Sequence, residues 1–138
     1  MKLSRFALSM FVFGAASVIV AIIAAAFAAH GIERTVQDGT RATTLFEGAS
    51  SFQMSNALGL MLIALAAEFA EKGIPTKIMR ISALLLSVSV LLFPGALYWS
   101  SFGGSAALAP VGGFAAMSGW LLFALAALYS LVRKRTYL

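Results

Sequence analysis

The stretch Leu91–Trp120, LLFPGALYWSSFGGSAALAPVGGFAAMSGW, runs for thirty residues without an Asp, Glu, Lys or Arg. A solvated connection between soluble elements does not stay uncharged for so long. Its ends are apolar, and its middle is a Gly/Ser/Ala hairpin. The pattern reads as the end of one transmembrane helix, a short loop at the membrane face, and the start of another helix.

The rest of the 138-residue chain agrees with that reading. Apolar residues make up 61% and charged residues 11%, with a mean hydropathy of +0.94, where soluble domains carry about 25% charge. A core of this size cannot hide so much apolar surface from water, so lipid is the expected solvent. The net charge of +5 would suggest nucleic acid in a soluble protein; here the placement of the charges matters more, and no nucleic-acid partner is expected. Without cysteine there is no disulfide, thiolate metal site or covalent haem. One histidine cannot form a histidine metal cluster within the chain. Neither metal nor cofactor is expected.

Working outward, four spans are predicted at about 6–30, 51–71, 79–100 and 112–133. They form an all-α membrane protein of one transmembrane domain over residues 1–138. The first run, Phe6–Ala29, rises roughly 36 Å as a helix, enough for the roughly 30 Å hydrocarbon layer. A secretory signal is the rival reading, since Lys2 and Arg5 precede the run and Ala26-Phe27-Ala28 resembles a cleavage site, but the run is too long for a signal core. Ser17, Ala21, Ala25 and Ala29, with Gly14, make a small-residue stripe suited to helix contact.

Between the first two spans, Ala42, Leu45, Phe46, Ala49, Phe52 and Gln53 recur at helical spacing. This predicts a short interfacial helix before the second span, or else an extra-membrane turn of the same helix. Pro75 follows a tight Gly73-Ile74 connection. Pro94 lacks the N–H that would bond Val90, so a bend is expected there, with Ser87 or another helix serving the freed carbonyl. Tyr98 and Trp99 fall where an aromatic belt belongs.

Eight basic residues (Lys2, Arg5, Lys72, Lys77, Arg80, Arg133, Lys134, Arg135) flank one side, and Arg34 and Arg41 the other. That asymmetry predicts a bacterial inner-membrane protein with both termini cytoplasmic.

Four pieces carry a family resemblance: AAAFAAHGI (24–32), FQMSNALGL (52–60), LFPGALY (92–98), and APVGG (109–113) followed by Gly119-Trp120. Together they resemble the YgdD-like family of small inner-membrane proteins, a domain of unknown function (423) with a mitochondrial relative in animals. Its pattern reads Gly-Ala-Phe-Gly-Ala-His-Gly, Tyr-Gln-x-x-His-Ala-Leu, Phe-Ser-Gly-Ser-Leu-Tyr, and Pro-Ile-Gly-Gly with a later Gly-Trp. His30, Gln53, Gly95, Leu97, Tyr98, Pro110, Gly112, Gly113, Gly119 and Trp120 match. Asn56 stands where the family has a second histidine, Phe52 replaces a tyrosine, and Pro94 replaces a serine. The resemblance implies four spans in the inner membrane and supplies no activity.

Candidate chemistry gathers at the outer ends of the first two spans. His30, Gln53 and Asn56, with Tyr98, Glu33 and Glu47, could surround a small molecule, a lipid or a quinone. The plainer reading has His30 bonded across helices to Gln53, Asn56 or a hairpin carbonyl. Glu68, the acid inside a span, is a functional candidate by position, but its i,i+4 spacing to Lys72 favours a surface pair. Gly95, Gly112, Gly113 and Gly119 are read as helix-packing positions. No nucleophile stands with a base, and no catalysis is expected. The leading function is a small accessory or helix-packing subunit of a larger membrane complex, or of itself. The alternative is small-molecule, lipid or quinone binding or transport through the outer pocket.

Overall fold

A computed structural model describes residues 2–135, apart from the side chains of Glu33, Lys134 and Arg135. It contains four long helices: α1 Arg5–His30, α2 Gly39–Phe69, α3 Ile74–Ser101 and α4 Ala109–Arg135, with a 3-10 turn at Ile32–Arg34. Each is long and apolar enough to cross a bilayer. The chain is an all-α membrane protein.

Local chemistry sets the boundaries. Ser4 Oγ accepts the Ala7 N–H at 3.2 Å and opens α1; Asp38 Oδ1 accepts the Arg41 N–H at 3.1 Å and opens α2. Gly73 turns the chain at φ 129°, where a side chain would be strained, and Pro75 enters the first turn of α3, where no N–H is needed.

The expected interfacial helix is not a separate element. α2 runs unbroken from Gly39 to Phe69, because no proline interrupts it and its buried face keeps one register throughout. Ala42, Phe46 and Ala49 lie buried in line with Gln53, Ala57 and Leu60. The apolar side of the 41–53 stretch therefore meets protein: Phe46 packs against Phe27, Tyr98 and Phe102.

The helices pack mainly against their chain neighbours. α2 and α3 form the central pair; α1 lies on α2 with a lighter touch on α3, and α4 lies on α3. Burial follows: 44% and 39% of the most apolar windows of α2 and α3 are inside the protein, against 22% for α1 and α4. The outer two helices thus leave most of their apolar surface uncovered by the rest of the chain.

The α1–α2 seam is built from Ala7, Gly14, Ser17, Ala21, Ala24 and Ala28. Their spacing is seven residues or three-plus-four, as in a left-handed coiled coil. Ala25 and Ala29, expected on this stripe, are exposed. Steps of four rotate by about 40° each, so Ala29 lies about 120° from Ser17, while a step of seven drifts only about 20°.

The α3–α4 seam is closest at Gly112, where a methyl group would overlap the Phe93 backbone nitrogen. Farther along, Ser82 Oγ donates to the Gly119 carbonyl at 2.6 Å, and Gly119 lies against Leu86. Gly95 and Gly113, expected to seat helices as well, do not: a Cβ at Gly95 would meet nothing within 4 Å, and one at Gly113 only the Phe93 ring at 3.9 Å. α3 continues through Pro94, and Ser87 Oγ bonds the Ala83 carbonyl at 2.9 Å rather than serving Val90.

Candidate functional site

Two amide side chains of α2 face the interior, three residues apart and so on one side of the helix. Gln53 is 6% exposed and Asn56 8%. In an apolar interior each amide must find partners or cost free energy. The Tyr98 hydroxyl donates to Gln53 Oε1 at 2.8 Å, joining α3 to α2. Trp120 Nε1 donates to Asn56 Oδ1 at 2.9 Å, joining α4 to α2, while Asn56 Nδ2 donates back to the Phe52 carbonyl at 3.0 Å. Gly59 makes room for the indole, since a Cβ there would run into the Trp120 ring.

These pairs tie the polar residues of α2 to both of the following helices. Tyr98 occupies the position next to Gln53, with the Phe46 ring centroid 4.7 Å from its own. Each pair is a hydrogen bond between helices, worth about 0.6 kcal/mol for an average pair in a membrane.

His30 does not join them. It is exposed at the end of α1 and borders a hollow of about 190 Å3 with Ala28, Ala29, Gly31 and Arg34. Among the described residues it has no hydrogen-bond or ion-pair partner. Ala28 points into the α1–α2 seam, and two residues farther is a rotation of about 200°, which turns His30 away. Glu47 is exposed too. The side chain of Glu33 lies outside the described residues. Of the six proposed pocket residues, the structure brings Gln53 and Tyr98 together and gives Asn56 a different partner.

The other end holds a cluster that sequence reading missed. Glu68 does not pair with Lys72. Its Oε2 accepts the Ser4 N–H at 2.9 Å, its Oε1 accepts Ser4 Oγ–H at 2.6 Å, and Arg80 Nη2 lies 3.6 Å away. The Arg80 guanidinium sits 5.4 Å from the Phe6 ring centroid. With its side chain 12% exposed, Glu68 is a clamp on the start of α1. Glu71 and Arg133 approach to 3.6 Å nearby, both half-exposed. The signal for this clamp was register: Gly14 faces Ala57 and Met61, Phe27 faces Phe46, and the same antiparallel pairing carries Ser4 to Glu68.

Four apolar helices whose polar side chains bond one another across the seams define a multi-pass α-helical membrane protein. The chain belongs to the DUF423 family, described as proteins of unknown function, whose family model matches residues 24–113. It is similar to a UPF0382 membrane protein of Staphylococcus epidermidis, 29% identical over 120 residues that cover 85% of this chain and 93% of the relative. A UPF0382 membrane protein of Staphylococcus haemolyticus is 28% identical over 114 residues, covering 80% and 88%. No solved structure matches the chain at a significant level.

Proposed function

We propose that this protein is a small, non-enzymatic packing or accessory subunit of the bacterial inner membrane. It associates through its outer helices with a larger membrane assembly or with a second copy of itself, and both termini are cytoplasmic. The observation that carries the reading is the bonding of the buried polar groups between helices: the amide oxygens of Gln53 and Asn56 accept from Tyr98 and Trp120. Polar groups bonded to one another across the seams hold helices together, which supports a packing role over ligand binding. α1 and α4 add support, because each leans on the central pair and leaves Val12, Ile19 and Ile23, or Phe114, Leu121 and Leu128, exposed. The orientation rests on eight basic residues against two.

The test places photo-crosslinking residues at Val12 and Phe114 in cells. Discrete adducts with one protein, or with a second copy, support the subunit reading. Adducts with lipid alone at both positions count against it.

A further inference from the structure

At the end opposite the start of α1, a hollow of about 410 Å3 opens between the 35–38 connection, the first turn of α2 and the end of α3. Its lining includes a cation, Arg41, an anion, Asp38, and a ring, Phe102. Arg41 is anchored by a neutral partner: its Nη2 donates to Ser100 Oγ at 3.3 Å. Among the described residues no carboxylate forms an ion pair with it. Asp38 uses Oδ1 to cap α2, and its other oxygen has no partner among the described residues. Asp38 and Arg41 are held together at the mouth of α2, since the Arg41 N–H that Asp38 caps belongs to the residue carrying the guanidinium.

The depth of the hollow is marked by aromatic rings. Phe102 is 56% exposed and Trp99, three residues before it, 65%. Exposed rings at the end of an apolar span lie at the level of lipid headgroups. A hollow at that depth, with one charge of each sign side by side, has the electrostatic pattern of a zwitterion.

We propose that this hollow holds the headgroup of a phosphoethanolamine lipid, its phosphate on Arg41, its ammonium on Asp38, and its acyl chains descending past Phe102. A guanidinium fork suits a phosphate diester better than a point charge does. Asp38 discriminates among headgroups. It opposes an anionic glycerol headgroup, whose phosphate it repels without compensation, and it accepts N–H bonds that a trimethylated choline cannot donate. The inference needs only that the helices span a bilayer; it stands apart from the subunit reading.

The experiment measures lipid retained by the delipidated full-length chain in maltoside micelles after adding phosphatidylethanolamine, phosphatidylcholine or phosphatidylglycerol, read by native mass spectrometry. Phosphatidylethanolamine should be retained roughly tenfold over the other two, the equivalent of one charge-assisted hydrogen bond. Arg41→Gln should abolish its retention. Asp38→Asn keeps the helix cap, because Asn caps as well as Asp, and should erase the preference over choline. If Arg41→Gln does not fold, Asp38→Asn decides alone. Equal retention of the three lipids, a preference for phosphatidylglycerol, or an ethanolamine preference that survives Asp38→Asn overturns the proposal.

Discussion

Tyr98 and Gln53 share a hydrogen bond of 2.8 Å between α3 and α2, beneath the Phe46 ring. The phenol ring fills space and its hydroxyl satisfies a buried amide. These two contributions separate in a mutant cycle. Tyr98→Phe keeps the ring and leaves Gln53 Oε1 without its donor, so stability in micelles should fall by about 1–2 kcal/mol. Gln53→Leu with Tyr98→Phe removes both polar groups and should recover part of that loss. Equilibrium unfolding in mixed detergent reads the difference. A double variant worse than the sum of the singles would contradict the pairing.

Gly112 gives a sharper steric test. The atoms that a Cβ would strike are backbone and Cβ atoms of Phe93, which cannot rotate aside. Gly112→Ala should therefore push α4 off α3 and cost about 1–3 kcal/mol. Gly95→Ala faces open space and should be neutral, or gain up to about 1 kcal/mol from helix propensity. Similar losses for both variants would refute the close approach at Gly112.

Much of this fold is legible in the sequence because a bilayer enforces it. Apolar runs of twenty or more residues have few alternatives to helices, and Gly73-Ile74-Pro75 and the 102–108 hairpin punctuate them. The length of α2 was harder to read, since Ala42, Phe46 and Ala49 would look the same against lipid headgroups as against a neighbouring helix. The choice depends on Phe27 and Tyr98, which arrive from elsewhere in the chain. The site was less legible still. Gln53 and Tyr98 fall in one layer by sequence, but Trp120, the partner of Asn56, lies on a helix that sequence distance does not connect to it. His30 drew attention through its chemistry, although its position, two residues past Ala28, turns it outward.

That position carries its own prediction. An exposed imidazole with no partner among the described residues contributes little to folding. His30→Gln should move stability by less than about 0.5 kcal/mol, as surface substitutions do. A loss comparable to that of Tyr98→Phe would show that His30 bonds across helices after all.

Topology is checked with reporters. One fused after Leu138 should be cytoplasmic, and one inserted at Ser105, in the exposed hairpin between α3 and α4, should be external. The two on the same side would break the four-span arrangement. An external carboxyl terminus paired with an internal hairpin would instead reverse the orientation.

The clamp at the other end separates two partners for Glu68. Sequence spacing favours Lys72 on the same helix, whereas the structure joins Glu68 to the backbone N–H and hydroxyl of Ser4 and brings Arg80 alongside. Ser4 has two duties, since the same hydroxyl oxygen caps α1 by accepting the Ala7 N–H. Ser4→Ala should cost about 1 kcal/mol for the lost cap. It should also speed hydrogen exchange at the Ala7 and Leu8 amides, because the first turn of α1 loses its anchor to α2. Glu68→Ala should speed exchange at the Ser4 amide while Ser4 Oγ still caps Ala7. Lys72→Ala should change neither readout, as Lys72 is exposed and bonds nothing in the clamp. If Lys72→Ala loosens the first turn of α1 as much as Ser4→Ala does, the clamp is wrongly assigned and Glu68 belongs to the surface pair.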